Sequence, residues 1–180
     1  MRKLSLSLLL AAFSLIALQA QASLIRAMDL SELTSSAEHV VVGDVARVSS
    51  RWDDDHHNIV TTVEIAVQES WKGSPPSDGK LLIRQPGGTV GDIEMTVIGM
   101  PRFSVGEHTL LFLSQAGVVG MGQGKRPLRW DASGNRWLVE GADAAGAVRL
   151  DRRGKLRSEV RATPETLDSI RAKVRALLGE

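Results

Sequence analysis

The chain has 180 residues, and its 22 Lys and Arg almost cancel its 21 Asp and Glu. It contains no cysteine, which excludes disulfides, thiolate metal centres and a cysteine nucleophile. Near-neutral charge gives no electrostatic case for nucleic acid. With aromatics at 4% and no tyrosine, a stacking platform for bases or sugars is not expected either.

Arg2 and Lys3 precede an uncharged, mostly apolar run from Leu4 to Leu18, and Ala20 and Ala22 supply the small-x-small end that a signal peptidase reads. The run is shorter than the ~20 residues a membrane span needs. Residues 1–22 are therefore expected to be a cleaved signal peptide, with an uncleaved anchor as the alternative. The remainder, 23–180, is expected to form one β-rich domain that is periplasmic or secreted. No second long apolar run follows, so no membrane span is expected after cleavage.

From Met28 to Glu38, Leu30, Leu33 and Ala37 fall at helical spacing, and Asp29 or Ser31 can cap. His39 to Val48 is β-branched and strand-like, with Gly43 where a bulge or bend is expected. A polar loop, 49–58, follows. Ile59, Thr61, Val63, Ile65 and Val67 then alternate with more polar neighbours, which predicts a strand with one buried face, and Trp71 continues that parity. Lys72 to Gly79 breaks the strand. Further strands are expected over Leu81–Arg84 and Ile93–Val97, and over Thr109–Leu113, whose unbroken apolar character predicts burial on both faces.

Two hairpins should follow. Leu128–Trp130 and Arg136–Val139 flank Asp131–Asn135, a loop with good turn chemistry, and Ala147–Leu150 and Lys155–Arg157 flank a similar one. A closing helix is expected over 163–179, with Thr163 as N-cap, Pro164 as first helical residue and Gly179 as C-cap. Its stripe of Leu167, Ile170, Val174 and Leu177 packs inward or grips a partner helix. The expected fold is mainly β: a small antiparallel barrel or sandwich with a short N-terminal helix, C-terminal hairpins and a C-terminal amphipathic helix.

The order of Val40-Val41-Val42-Gly43-Asp44-Val45, Trp71-Lys72-Gly73, Ile83-Arg84-Gln85-Pro86-Gly87-Gly88, Pro101-Arg102-Phe103, and Gly106-Glu107 before Leu110-Leu111-Phe112-Leu113 resembles a group of uncharacterised exported bacterial proteins. Some of these are associated with matrixin-like metalloproteases. The order also resembles the OB-type barrel of netrin-like and TIMP-like domains. The resemblance covers about residues 38–114 and implies an OB-like core there, a fold that presents binding surfaces; the turn chemistry makes 115–160 a hairpin extension of that core. TIMP-type inhibitors chelate the protease zinc with an N-terminal cysteine; this chain has none, so that mechanism is not carried over.

Asp53-Asp54-Asp55-His56-His57 is the most unusual cluster. Asp53, Asp55, His56 and His57 offer oxygen and imidazole ligands for a divalent metal, or the loop is a solvated tip. Glu107 and His108 are neighbours on a strand, face opposite ways and make poor acid–base partners. The glycines at 117, 120, 122 and 124 before Lys125 lack phosphate-loop spacing. Trp130 and Trp137, with Arg129 and Arg136, have the composition of an interface anchor or of a hairpin core. The preferred reading is an exported non-enzymatic binding or protein-interaction module with no cofactor. Its partner would be an exported protease or a cell-envelope component. The alternative is a metal-binding protein or metal-dependent hydrolase using the Asp53–His57 loop.

Overall fold

The computed structural model describes residues 25–74, 76–141, 147–150, 156–158 and 164–180. The expected leader, the turn of the last hairpin and Thr163 lie outside them. Capping sets where the first helix begins. Asp29 accepts a bond from the Glu32 amide and Glu32 returns one from the Asp29 amide, a reciprocal capping box. Helix α1 therefore spans Leu30–Ser36, shorter than expected at both ends, and Ala37 is already extended.

Around it the chain forms β1 (Ile25–Arg26), β2 (His39–Trp52), β3 (Ile59–Lys72), β4 (Lys80–Pro86), the hairpin β5 (Gly88–Val90) and β6 (Ile93–Met95), and β7 (His108–Ser114). Next come β8 (Gly117–Val118), a 3-10 turn (Met121–Gly124), β9 (Lys125–Asp131) and β10 (Arg136–Val139). Then follow β11 (Ala147–Leu150), β12 (Leu156–Ser158), β13 (Glu165–Thr166) and helix α2 (Leu167–Leu178). The main sheet has the order β13-β10-β9-β7-β2-β3-β4, antiparallel throughout, with β8 paired to β7.

The protein is thus mainly β, but the sheet does not close. Among the described residues its terminal strands β13 and β4 share no ladder, so of the expected barrel or sandwich the barrel is not formed. β8 comes close to β4, with the Arg84 carbonyl oxygen 3.6 Å from where a Cβ on Gly117 would sit, but no ladder joins the two strands among the described residues.

Two cores lie on opposite faces of this sheet. On one, α1 and α2 cover Val40, Val42, Leu110, Phe112, Leu128 and Val139 through Leu33, Leu167, Ile170 and Val174. On the other, Val41, Val45, Val63, Ile65, Ile83, Leu111 and Leu113 pack with Phe103 and Val118. The alternation of Leu110 and Phe112 with Leu111 and Leu113 between the two cores explains why β7 is apolar on both faces. Most of the driving force resides in these residues, at roughly 1.5–3 kcal/mol per large aliphatic side chain fully buried.

The β2–β3 ladder slips three times, leaving Ala46, Gln68 and Trp71 without partners in register. Gly43 sits at one slip, where a Cβ would lie 2.4 Å from the Ala66 carbonyl oxygen. The slips correct the expected parity of Trp71. It is buried, but in the helix-side core rather than with Val63 and Ile65, and its indole N–H donates to Glu69. Glu69 in turn accepts two bonds from Arg171 of α2, at 2.9 and 3.1 Å.

β2 also runs to Trp52, through residues expected as loop, because Ser49 to Trp52 stay paired with β3. At the other end of the chain, Glu165 and Thr166 pair with β10, so the backbone is extended up to Thr166. Thr166 rather than Thr163 therefore caps α2, accepting from the Ser169 amide, and Gly179 ends the helix in a left-handed conformation. Leu167, Ile170 and Val174 face the core, while Leu177 is exposed.

Candidate functional site

The helix-side face of the sheet extends beyond the helices. Leu128 and Val139, paired across β9 and β10, are buried in the helix-side core. Two residues nearer the turn, Trp130 and Trp137 pair directly and continue that face. Their rings meet edge to face at 5.2 Å, and Trp130 remains 45% exposed. Trp137 leans on the His108 ring at 4.5 Å. His108 Nδ1 is 2.7 Å from Asp44 Oδ1, and the Gln68 amide donates to the other Asp44 oxygen. A row of five side chains therefore crosses five strands. Gln68 reaches it because it is one of the residues the ladder leaves over.

The turn that presents the two tryptophans is organised by Asp131. Its carboxylate accepts from the Ser133 hydroxyl at 2.6 Å and the Ser133 amide at 3.2 Å, and Asn135 takes a left-handed backbone. The Ser133 hydroxyl, then the Gly134 and Ser133 amides and Arg136, hold the Asp131 carboxyl below its ordinary range.

Arg129 and Arg136 do not join the aromatic pair. Arg129 is opposite Leu138 and Arg136 opposite Asp131, which puts both on the other side of the hairpin. Each is ion-paired, Arg129 with Glu140 at 3.2 Å and Arg136 with Asp131 at 3.4 Å. The four residues expected as one interaction set thus divide into an aromatic face and a charge-compensated face.

The Asp53–His57 loop is a tight connection between β2 and β3. Asp53 spends both carboxylate oxygens inside it, accepting from the His57 amide at 2.8 Å and the Asn58 side chain at 2.9 Å. The Asn58 amide is the main reason its carboxyl is held low. His56 adopts a left-handed backbone, and Asp54 reaches back to Arg51 at 3.3 Å. Among the described residues, no three His, Asp or Glu side chains gather as metal ligands.

Glu107 and His108 face apart. Glu107 turns to Lys125 at 2.6 Å, and Lys125, only 3% exposed, also donates to the Arg102 carbonyl and lies over the Phe103 ring at 4.9 Å. Sequence reasoning missed this pair and the His108–Asp44 pair. The only local signals were a carboxylate inside the apolar run 40–45 and a lysine following four spaced glycines. Chemically, Asp44 orients the His108 imidazole, while Trp137 covers one of its faces. The row joins a half-exposed aromatic ring to oriented polar side chains, which are the parts of a binding surface.

No protein-family model matches the chain, and a search of curated proteins gives no match.

Proposed function

We propose that this protein is an exported, non-enzymatic interaction module that docks on a partner through the Trp130–Trp137 hairpin and the adjoining His108–Asp44–Gln68 row. The observation that carries the reading is Trp130, a large ring left 45% exposed although it is braced edge-on by Trp137. A braced aromatic loses little side-chain freedom on binding, and tryptophan dominates interface energetics. The signal-like residues 1–22 support export to the periplasm or beyond. The approach of β8 to β4 supports an OB-like ancestry for the sheet, as in the netrin-like proteins it resembles. On that resemblance, the favoured partner is an exported metalloprotease or another envelope protein.

The test is a pull-down from periplasmic extract with the wild-type protein and with Trp130→Ala in parallel. One protein should be retained by the wild type and weakened about 30-fold by the substitution, the scale of a tryptophan hot spot. Equal recovery by both baits, or no partner in repeated trials, would overturn the proposal.

A further inference from the structure

The face of the sheet opposite the tryptophans carries a cleft of about 450 Å³. Its walls come from three directions: Ser50, Thr61 and Gln85 on β2, β3 and β4; the β5–β6 hairpin; and the segment 96–104. Cavities of roughly 300–1,000 Å³ are the size that takes small ligands. Glycine makes the enclosure close. A Cβ on Gly88 would sit 2.2 Å from Thr61 Oγ1 and 2.4 Å from Ser50 Oγ, so only glycine lets the hairpin lie against these hydroxyls.

The hydrogen bonds in this cleft have a direction. Thr61 gives its single proton to the Gly87 carbonyl oxygen at 2.5 Å. The 2.8 Å bond between Ser50 and Thr61 must therefore be donated by Ser50, which leaves the Ser50 oxygen as an acceptor. Gln85 is oriented by its amide N–H, which donates to the Pro101 carbonyl at 2.8 Å. Its Oε1 is consequently fixed as an acceptor; it is buried and has no partner among the described residues. Gln85 Oε1, buried under the lining, is thus the acceptor that lacks a donor, and Ser50 Oγ keeps acceptor capacity. Val48, Met95, Met100 and Phe103 supply the apolar part of the lining, and two methionines make such a wall adaptable.

We propose that this cleft binds a small ligand with a compact apolar body and one N–H or O–H donor, the donor satisfying Gln85 Oε1. The site lies on the other face from the tryptophan row and stands independently of the docking proposal.

Indole and benzofuran are suitable probes, being nearly the same shape with and without the N–H. NMR titration of the purified protein should shift Gln85, Ser50 and Thr61 signals, with an indole dissociation constant of about 1 mM for a fragment of this size. Benzofuran should bind about fivefold more weakly, the worth of one net hydrogen bond. Gln85→Met should abolish the preference. Should that variant fail to fold, an intermolecular NOE in the wild type between the indole N–H and the Gln85 side-chain amide decides the same point, and its absence would overturn the assignment. Equal binding of the two probes, shifts confined to other regions, or a preference unchanged in the folded variant would overturn the assignment.

Discussion

Glu107→Ala should destabilise the protein more than removal of the lysine it pairs with. Lys125 is 3% exposed and has three partners: the Glu107 carboxylate, the Arg102 carbonyl and the Phe103 ring. Taking away Glu107 strands an ammonium that cannot reach water, and breaking a buried pair in this way costs about 3–5 kcal/mol. Glu107 is 19% exposed, so its loss admits some water and puts the expected cost near the lower end, about 3 kcal/mol. For a chain of this size that is a fall in Tm of roughly 6–12 °C. Lys125→Met leaves Glu107 partly hydrated and still bonded to the Ser104 amide, at a cost of about 1–2 kcal/mol. The double variant should recover part of the Glu107→Ala loss, because no unpaired charge remains buried. Urea unfolding followed by circular dichroism measures all three. Equal losses from the two single variants, or a double variant as unstable as their sum, would refute the buried-charge argument.

Gly43→Ala drives a methyl to 2.4 Å from a backbone oxygen, and should cost at least the roughly 1–3 kcal/mol of ordinary overpacking, read as a lower urea midpoint. Asp29→Ala removes the capping box of α1 and should cost about 1 kcal/mol in the same assay. Asp131, held low chiefly by the Ser133 hydroxyl, and Glu165, held low chiefly by Lys173, both have depressed folded pKa values. Their stabilisation is present above the ordinary carboxylate value and is lost as pH falls toward the lower folded one. Asp131→Asn and Glu165→Gln should each flatten the decline of the urea midpoint in that acidic window.

The elements with a clear period were legible from the residues alone. Ile59 to Val67 alternates because one face meets a core, and Thr109 to Leu113 is continuous because both faces do. The β9–β10 hairpin followed from Asp131, Gly134 and Asn135, whose turn chemistry is local. Where a residue's role depends on a partner far along the chain, local pattern gave no purchase. His108 meets Asp44 across 64 positions, and Glu69 meets Arg171 across 102. The Trp130–Trp137 contact was within reach of the hairpin register. The separation of Arg129 and Arg136 from it was also implicit in the two-residue period, but composition had grouped all four.

The β-bulges explain why parity counting fails at Trp71 and why one sheet supports two different surfaces. A 14-residue strand in perfect register keeps one set of side chains on one face for its whole length. β3 instead sends Ile59 to Val67 toward the second core and its margin, then Glu69 and Trp71 toward the helices. The change occurs at Gln68, which the ladder skips, opposite the backbone that Gly43 keeps clear of a side chain. The same skip frees Gln68 to bond Asp44 and complete the row beside the tryptophans. A substitution that restored regular pairing at Gly43 would therefore displace Trp71 from the helix-side core and Gln68 from Asp44 together. In Gly43→Ala, a lowered urea midpoint should be accompanied by a shifted Trp71 fluorescence environment and altered His108 ring signals. Loss of stability with both reporters unchanged would separate the bulge from the binding row and show that the coupling is absent.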